Sequence, residues 1–517
     1  MATAGVTKFP HLSCNETSPA AFRTRGRSSH YGLRCELGPR TTVQIESGMK
    51  VPESDVSQVN AGKTTRSGGY VLYVSALLFL AFIGGALAAV AGIFPATYVE
   101  TAYRAGKALH GKLTARHDPL ASDLWPYARA NAAGLLTADY ERKHSGFTLF
   151  TTGDGARAHL IAPSGAVIHE WKRPYSGVWD KSGAVRAPMA DNQVYFRKAH
   201  LYPNGDILVI YEGVGDSPYG YGMARLDRDS NLIWKNLDHF HHDFHVADDG
   251  LIYGLTHAYR QDLMPDVDHL KPPYLDDFVV VVSPDDGRML KKISLIEAFR
   301  HSDYRRMLWL VPYYSLEDPL HTNSVRRLEG EEAEQLAAKV PQAKEGRVLL
   351  SLREMGNGVI ALLDLETERI VWATRGPWHA QHDVDVLPNG NLLLFDNRGH
   401  FGPGGQSRII EVDAATGAIE WIYAGDERNE FESLIRGSQE RLPNGNTLIT
   451  ESQAGRLLEV TEDGEIVWEY VTPVRAGKAS GQLPIVSYGQ RIELDALDPD
   501  FAEQLLVNLQ AKEMESE

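Results

Sequence analysis

A long apolar stretch near the N-terminus is the first strong pattern in the chain. Residues 70–93 (YVLYVSALLFLAFIGGALAAVAGI) contain no charged residue. A helix rises about 1.5 Å per residue, so this stretch is long enough to cross the roughly 30 Å hydrocarbon core of a bilayer. A cleaved signal sequence gives a similar pattern, but the long tail before this stretch favours an uncleaved anchor. We therefore predict a transmembrane signal anchor over residues 70–94 and a disordered tail over residues 1–69.

A second pattern recurs beyond residue 145, where alternating apolar and polar positions lead into a tight turn and out of it again. Four segments have an Asn-Gly or Asp-Gly turn at their centre: 201–211, 246–256, 386–396 and 441–451. These dipeptides supply the positive φ that hairpin turns need. A second hairpin follows each segment, and a Trp often closes its last strand. Each repeat therefore predicts a four-stranded antiparallel sheet.

Four-stranded units that recur about every 40–60 residues are typical of a β-propeller. Six units can be counted, centred near residues 160, 215, 265, 350, 405 and 455. The strand-like segment 488–497 is expected to complete the first unit and so to close the ring. The predicted fold is all-β, a six-bladed β-propeller preceded by one transmembrane helix. Five or seven blades, a β-sandwich and a solenoid are the alternatives.

Two segments break the repeating pattern. Residues 95–143 are predicted to form a helical linker between the anchor and the propeller, which extends over residues 144–510. Residues 329–345 (EGEEAEQLAAKVPQAKE) are predicted to form a polar helix or loop inserted in one blade. The chain is therefore expected to have four parts, namely tail, anchor, linker and propeller.

The charges around the anchor bear on its orientation. Lys63 and Arg66 precede it, whereas Arg104, Lys107 and Lys112 follow it, so the local count is nearly balanced. Five further arginines in the N-terminal tail favour a cytoplasmic tail. We therefore expect a single-pass protein of the inner membrane, with its propeller in the periplasm or another extracytoplasmic space.

Composition excludes several functional classes. The formal net charge of −16 argues against nucleic acid as a partner, because such binding draws on clustered Lys and Arg. The two cysteines, Cys14 and Cys35, both precede the anchor. The predicted propeller can therefore contain no disulfide, no thiolate metal site and no cysteine nucleophile. The oligomeric state is not indicated by the sequence.

Histidines recur at similar positions when the repeats are superposed on their turns. His242 and His382 each lie eight residues before the turn glycine, and His321 lies at nearly the same offset in its own repeat. Two other repeats hold Arg197 and Gly437 there. The starts of the innermost strands of a propeller face one end of its central channel. We therefore expect the three histidines to converge on one site.

The chemistry of such a site favours an anionic group. Imidazole serves as a nucleophile or base when neutral and as a donor to oxyanions when protonated. Arg353 follows His321 on the next predicted strand, and a guanidinium can hold two oxygens of a tetrahedral oxyanion at once. Transfer of a sulfuryl or phosphoryl group would suit these residues. The alternative for Arg353 is a surface ion pair with Glu354.

At these residues the sequence resembles a known family, the bacterial arylsulfotransferases. Its members are periplasmic six-bladed propellers that move a sulfuryl group from a phenolic sulfate ester to another phenol. The resemblance covers roughly residues 145–470 and is strongest in four segments: 318–325, 351–353, 381–382 and 392–399. This chain differs in having no cysteine in the propeller, so it would be a divergent, membrane-anchored member.

The resemblance implies a role for each matching residue. His382 would be the nucleophile that becomes a transient sulfohistidine, and His242, His321 and Arg353 would hold the sulfate oxygens. His321 or His242 would give a proton to the departing phenolate. The implied double displacement needs no nucleotide sulfate donor, metal or other cofactor, and its partners are an aryl sulfate donor and a phenolic acceptor. The candidate substrate-binding or supporting residues are Asn323, Asp383 and Asn397.

Two other functions are compatible with the same residues. A metal-dependent hydrolase would place His242, Asp243, His321 and His382 around a divalent ion, although Arg353 would be a poor neighbour for a cation. A non-catalytic propeller would present a binding surface to a partner, and replacement of His382 would then change little. Metal analysis and a histidine substitution distinguish these alternatives.

Overall fold

The computed structural model describes most of the chain beyond residue 64. The described residues are 65–91, 99, 102–103, 106, 118–264, 266–398, 406–476 and 481–516. The chain divides into two compact units, Met1–Gly84 and Gly85–Glu517. The predicted disorder of the tail falls almost entirely on residues outside the described ranges, as does the first half of the predicted linker.

The predicted anchor is a single helix, α1 (Thr65–Ala91). Within it, Gly69–Ala88 have a mean hydropathy of 2.3, and none of these side chains is buried in the protein. Apolar side chains left uncovered along a whole helix are typical of a segment that lies in lipid. The apolar helix is confirmed as a candidate membrane span, and the crossing itself stays a prediction.

Strands dominate the described part of the second unit, where 25 of them occur. The first twelve are β1 (Gly134–Ala138), β2 (Phe147–Thr152), β3 (Arg157–Ile161), β4 (Val167–Lys172), β5 (Val194–Leu201), β6 (Ile207–Gly213), β7 (Gly220–Leu226), β8 (Leu232–Asn236), β9 (Phe240–Val246), β10 (Ile252–Arg260), β11 (Tyr274–Val282) and β12 (Met289–Ser294). The others are β13 (Thr322–Arg327), β14 (Val348–Leu352), β15 (Val359–Asp364), β16 (Arg369–Thr374), β17 (His382–Val386), β18 (Leu392–Asp396), β19 (Arg408–Val412), β20 (Ile419–Tyr423), β21 (Ser438–Arg441), β22 (Thr447–Glu451), β23 (Arg456–Val460), β24 (Ile466–Val471) and β25 (Val486–Ile492).

Six antiparallel sheets assemble from these strands and form the six blades. Five blades take consecutive strands, β5–β8, β9–β12, β13–β16, β17–β20 and β21–β24, and the remaining blade has the order β25-β2-β3-β4. In that blade Phe147 pairs with Ile492, so the last strand of the chain completes the first blade. The predicted six-bladed propeller is confirmed.

Part of the predicted helical linker has a different structure. Its described residues, 118–143, contain a short 3-10 helix at Pro119–Ala121 and the strand β1. Strand β1 pairs with β24 at the outer edge of the last blade, where Ala138 lies opposite Trp468. Alanine-rich sequence favours a helix locally, but an open sheet edge offers a full set of unpaired backbone groups. Pairing with that edge overrides the local preference.

Within the described ranges of the propeller, three α-helices occur beside the blades: α2 (Leu295–Arg300), α3 (Gly330–Ala337) and α4 (Pro499–Ser516). Helix α3 lies in the segment predicted as a polar insertion and buries Ala333 and Leu336. Helix α4 packs on the first blade through Phe501 and Leu505, which are fully buried. The insertion is therefore a short amphipathic helix rather than a loop.

Tryptophans on the outermost strands join neighbouring blades. The indole Nε1 of Trp171 donates to the carbonyl of Gly205 in the next blade at 3.0 Å. The same bond occurs at three other blade contacts: Trp234 to Pro284 at 2.8 Å, Trp421 to Glu462 at 2.6 Å and Trp468 to Pro163 at 3.0 Å. These bonds explain why a Trp ends so many of the repeats.

A buried ion pair holds the closing strand to the last blade. Arg491 Nη2 lies 2.7 Å from Glu459 Oε2, and the two side chains are 1% and 0% exposed. Removal of one partner leaves an uncompensated buried charge, so we expect Arg491→Met to lower the free energy of unfolding by about 3–5 kcal/mol. Chemical denaturation followed by circular dichroism measures the change.

The double variant Arg491→Met with Glu459→Gln should recover part of this loss, because it removes the stranded charge. Arg142→Met is the matched control, since Arg142 forms its ion pairs with Asp139 and Glu465 in solvent. Equal destabilisation by Arg142→Met and Arg491→Met would contradict the importance of the buried pair.

Candidate active site

Hydrogen bonds between consecutive innermost strands set the positions of the site residues. Asp243 Oδ2 accepts the backbone N–H of Val325 at 2.8 Å, and Asp383 Oδ2 accepts that of Gln439 at 3.0 Å. Ser324 Oγ accepts the N–H of Val384 at 3.3 Å in the same way. Each acceptor belongs to one blade and each donor to the next. The side chains at this position therefore join blades.

This equivalence changes the alignment of one histidine. Ser324 occupies the position of Asp243 and Asp383, so the residue before it, Asn323, corresponds to His242 and His382. His321 lies two residues earlier, directly ahead of β13. His242 and His321 both have left-handed backbone conformations, with φ of 54° and 48°. Residues held in this sparsely populated region cluster at functional sites.

The three histidines nevertheless converge. The ring centroid of His242 lies 4.9 Å from that of His321 and 6.4 Å from that of His382. All three line one cavity of about 270 Å³, and Arg353 lies at its wall. Arg353 Nε also lies 3.5 Å from Glu354 Oε1, so the ion pair considered as an alternative coexists with a place in the site.

Two further arginines line the cavity that sequence reasoning did not assign. Arg197 donates from Nη1 to the carbonyl of Ser487 at 2.9 Å. Arg436 forms an ion pair with Asp123 at 2.8 Å between Nη1 and Oδ2. Arg197 could have been found, because it occupies the position of His242 and His382 in its own repeat. Arg436 directly precedes Gly437, which holds the same position in another repeat. Nothing in the repeat pattern pointed to Arg436 itself.

His382 has a defined tautomer. Its Nδ1 lies 2.6 Å from Asn397 Oδ1. The amide nitrogen of Asn397 donates to the carbonyls of Ser433 and Arg436, at 2.8 and 2.7 Å, which fixes the orientation of the amide. Oδ1 must therefore accept, so His382 Nδ1 carries the hydrogen and Nε2 keeps its lone pair.

The protonation states of the histidines differ. Burial, with the positive charges of Arg353 and Arg197 nearby, holds the pKa of His382 well below its usual value, so this ring is neutral. Burial and the neighbouring imidazoles do the same to the pKa of His242. Burial also opposes charge on His321, but Asp318 at 2.6 Å outweighs it, and the pKa of His321 is raised.

An aromatic wall completes the cavity. The ring of Tyr219 lies edge-on to His242, with centroids 5.4 Å apart, and 5.9 Å from the ring of His321. Burial, followed by the carboxylates of Asp318 and Asp277, raises the pKa of Tyr219 well above its usual value. Tyr219 therefore stays protonated. The sequence pattern gave no signal for it, because it lies in the connection between β6 and β7.

The three other predicted residues lie outside this cavity, and Asn397 acts on it through its hydrogen bond with His382. The amide nitrogen of Asn323 donates to the carbonyl of Gln381 at 2.8 Å and so supports the backbone just before His382. Asp383, predicted to contact substrate, lines a separate cavity of about 700 Å³ together with Lys198 and Glu440. The side chain of Asp383 therefore does not line the histidine cavity, although Asp383 follows His382 in the sequence.

The ligand set considered for a metal-dependent hydrolase is not assembled. Asp243 faces Lys198, at 2.5 Å, and Val325 instead of the cavity. A different group, His241, His257 and Asp277, has potential ligand atoms within 4.8 Å of one another. The two imidazole rings of that group are stacked, with centroids 4.3 Å apart and planes 18° apart. A metal ion lies close to the plane of each imidazole that binds it. Two nearly parallel stacked rings offer no nearby position that lies in both planes, so they cannot bind one ion together.

The charge on His321 predicts how anion binding depends on pH. Inorganic sulfate should bind the cavity most tightly at acidic pH and lose about ten- to hundredfold in affinity as pH rises through the raised pKa of His321. In Asp318→Asn the partner that raises this pKa is gone, so the loss should begin at lower pH. Isothermal titration calorimetry across the pH range measures both, and an unchanged midpoint in the variant would contradict the assignment.

Comparison with solved structures returns matches of low sequence identity and low TM-score. A protein of unknown function from Bacteroides caccae is 13% identical, with a TM-score of 0.42 over 67% of this chain and 98% of that chain. A streptogramin B lyase is 13% identical, with a TM-score of 0.35 over 69% of this chain and 88% of its own. Virginiamycin B lyase from Staphylococcus aureus is 12% identical, with a TM-score of 0.35 over 69% and 87% of the two chains.

Comparison of the sequence with families gives a more specific result. No curated protein matches the chain. The model of the family Arylsulfotransferase (ASST) matches residues 198–473, which is more than half of the 517 residues. This match runs from β5 to the end of the last blade and includes all three histidines and Arg353. The chain therefore belongs to the arylsulfotransferase (ASST) family.

Proposed function

We propose that this protein moves a sulfuryl group from an aryl sulfate to a phenolic acceptor, through a sulfohistidine on His382. The observation that carries the proposal is the contact between His382 and Asn397. Because Asn397 Oδ1 accepts the Nδ1 hydrogen at 2.6 Å, the lone pair of His382 resides on Nε2. A neutral imidazole whose tautomer is fixed in this way is prepared for nucleophilic attack.

The surrounding charges favour the transition state of that attack. Negative charge develops on the sulfuryl oxygens, and Arg353, Arg197 and the His321 imidazolium face the same cavity. Donors held in place by the protein stabilise such charge without reorganising during the reaction. In our proposal these three groups hold the sulfuryl oxygens while His382 Nε2 displaces the phenolate, with His242 at the oxygen of the departing phenolate.

The size of the cavity supports a double displacement. A volume of about 270 Å³ is at the lower limit for a ligand site and suits one aromatic ring with its sulfate. Donor and acceptor would therefore occupy the site in turn. Between the two steps the sulfuryl group would stay on His382, which is why a covalent intermediate is needed. The ring of Tyr219 would pack against either phenol.

The location of the reaction follows from the anchor. We propose a single-pass protein of the inner membrane with an anchor at residues 70–94, a linker at 95–143 and a propeller at 144–510 in the extracytoplasmic space. A simple aryl sulfate would serve as donor there without a nucleotide sulfate.

Trapping of the intermediate tests the proposal. The full chain, incubated with a chromogenic phenyl sulfate and no acceptor, should release one phenol per chain in a burst and gain the mass of one sulfuryl group. His382→Ala should lose the burst and the added mass, because the acceptor nitrogen is gone. Intact-mass spectrometry and peptide mapping locate the group.

His245→Ala is the matched control for this test, because His245 lies on β9 with His242 but outside the histidine cavity. It should retain the burst. A folded wild-type protein that releases no phenol from any aryl sulfate would contradict the proposed activity and favour a non-catalytic propeller.

The role of Asn397 gives a second prediction. Asn397→Leu removes the acceptor that fixes the His382 tautomer, so kcat should fall on the order of 10²-fold or more, with a smaller change in KM. Asn397→Asp keeps an oxygen acceptor and should retain more activity than Asn397→Leu. Steady-state kinetics of sulfuryl transfer measures both, and equal losses would show that Asn397 acts only through packing.

A further inference from the structure

Behind the cavity, two buried polar side chains continue inward from His242. His241 Nδ1 lies 2.9 Å from His242 Nδ1, so one ring donates to the other. On its far side His241 Nε2 lies 3.6 Å from Asp277 Oδ1. Neither of these two atoms has a hydrogen-bond partner among the described residues. His241 and Asp277 are 0% and 1% exposed.

A buried polar atom without a partner calls for a physical explanation. A metal is not the explanation here, because His241 and His257 are stacked. His257 Nε2 also accepts the backbone N–H of Gly220 at 3.3 Å, so its Nδ1 carries the hydrogen and offers no lone pair. His257 therefore forms a neutral wall against His241. The other three side chains, Asp277, His241 and His242, form a series along which a proton can pass.

From this geometry we propose that Asp277 and His241 are positioning residues that deliver a proton to His242 Nδ1 as His242 Nε2 releases its own, and take it back in the reverse step. The proposal rests on the sulfuryl transfer proposed above and specifies which group acts as its acid and base. The gap of 3.6 Å must shorten by roughly 0.7 Å for a proton to pass, as commonly happens when substrate tightens a catalytic hydrogen bond.

The series of Asp277, His241 and His242 has two states that differ by one proton. In the first, protonated Asp277 donates to His241 Nε2, His241 Nδ1–H donates to His242 Nδ1, and His242 Nε2–H faces the cavity. In the second, Asp277 is ionised, His241 carries its hydrogen on Nε2, and His242 carries its hydrogen on Nδ1. His242 Nε2 then presents a lone pair. The backbone N–H of Thr322 donates to Asp277 Oδ2 at 2.7 Å and stabilises the ionised form.

Each half of the reaction converts one state into the other. When His382 displaces the phenolate, His242 Nε2–H protonates the phenolate oxygen, the His241 proton moves to His242 Nδ1, and the Asp277 proton moves to His241 Nε2. When the acceptor phenol attacks the sulfohistidine, its proton enters at His242 Nε2 and the series reverses. The sulfur–oxygen bond that breaks first is replaced by a sulfur–nitrogen bond, and the second step exchanges them again.

The ionisation of Asp277 is compatible with both states. Burial, with the carboxylate of Asp318 nearby, raises the pKa of Asp277 to about 7. A group with this pKa gives up and regains a proton at neutral pH with little free-energy cost. Asp318 is hydrogen-bonded to His321. His321 would therefore stay charged and hold the sulfate, while His242 exchanges the proton.

Asp277→Asn tests the relay. Its amide oxygen can still accept the Thr322 N–H, but its NH₂ group would donate permanently to His241 and supply no proton. We expect a loss of kcat that grows with the pKa of the leaving phenol, about tenfold for 4-nitrophenyl sulfate and 10²–10³-fold for phenyl sulfate. Asp276→Asn is the matched control, because Asp276 is equally buried on the same strand but bonded to Ser294. It should show no dependence on the leaving group.

Nitrogen-15 NMR of histidine-labelled full-length protein in detergent gives a readout that does not require turnover. His242, assigned by the loss of its signals in His242→Gln, should shift to the Nε2–H tautomer in Asp277→Asn. Unchanged His242 signals, or a loss of kcat independent of the leaving group, would overturn the relay. A tautomer shift in a protein that transfers no sulfuryl group would support the proton path and contradict the proposed function instead.

Discussion

The structure depends on the way consecutive innermost strands are bonded to each other around the channel. In three blade contacts a short side chain at one fixed position accepts a backbone N–H of the next blade, as Asp243 does for Val325. In two of these contacts the residue just before the acceptor lines the histidine cavity, whereas Asn323, just before Ser324, supports the backbone at Gln381 instead. His242 and His382 take that place in two blades, and Arg197 takes it in a third. This part of the site therefore results from a repeated backbone arrangement in which only the side chains differ.

Burial gives these similar side chains different properties. His382 and His242 are kept neutral by desolvation and neighbouring cations, whereas Asp318 keeps a charge on His321. In the proposed reaction, three imidazoles in one cavity would provide a fixed lone pair, an anion-binding cation and a proton-exchanging group. The difference between them comes from the residue that each ring nitrogen contacts: Asn397, Asp318 or His241. The protonation state of each ring is therefore set by a residue that does not itself have to touch a substrate.

Most of the fold could be predicted from the repeating pattern, because hairpin turns and alternating strands are local features. The six blades and the closing strand could be predicted for that reason. Strand β1 could not, since its structure comes from the edge of β24, which is distant in sequence. In the site, the offset from the turn glycine identified His242 and His382. Arg436 and Tyr219 follow no repeat, and His241 and Asp277 become meaningful only when their distances are known.

The closing strand also determines when the site can exist. Arg197 is held by the carbonyl of Ser487, which belongs to β25, the last strand of the chain. A nascent chain that has already produced every histidine of the cavity still lacks the backbone that orients this arginine. Until β25 inserts beside β2, the ring stays open and the cavity incomplete. The cavity therefore depends on a strand that contributes none of its histidines.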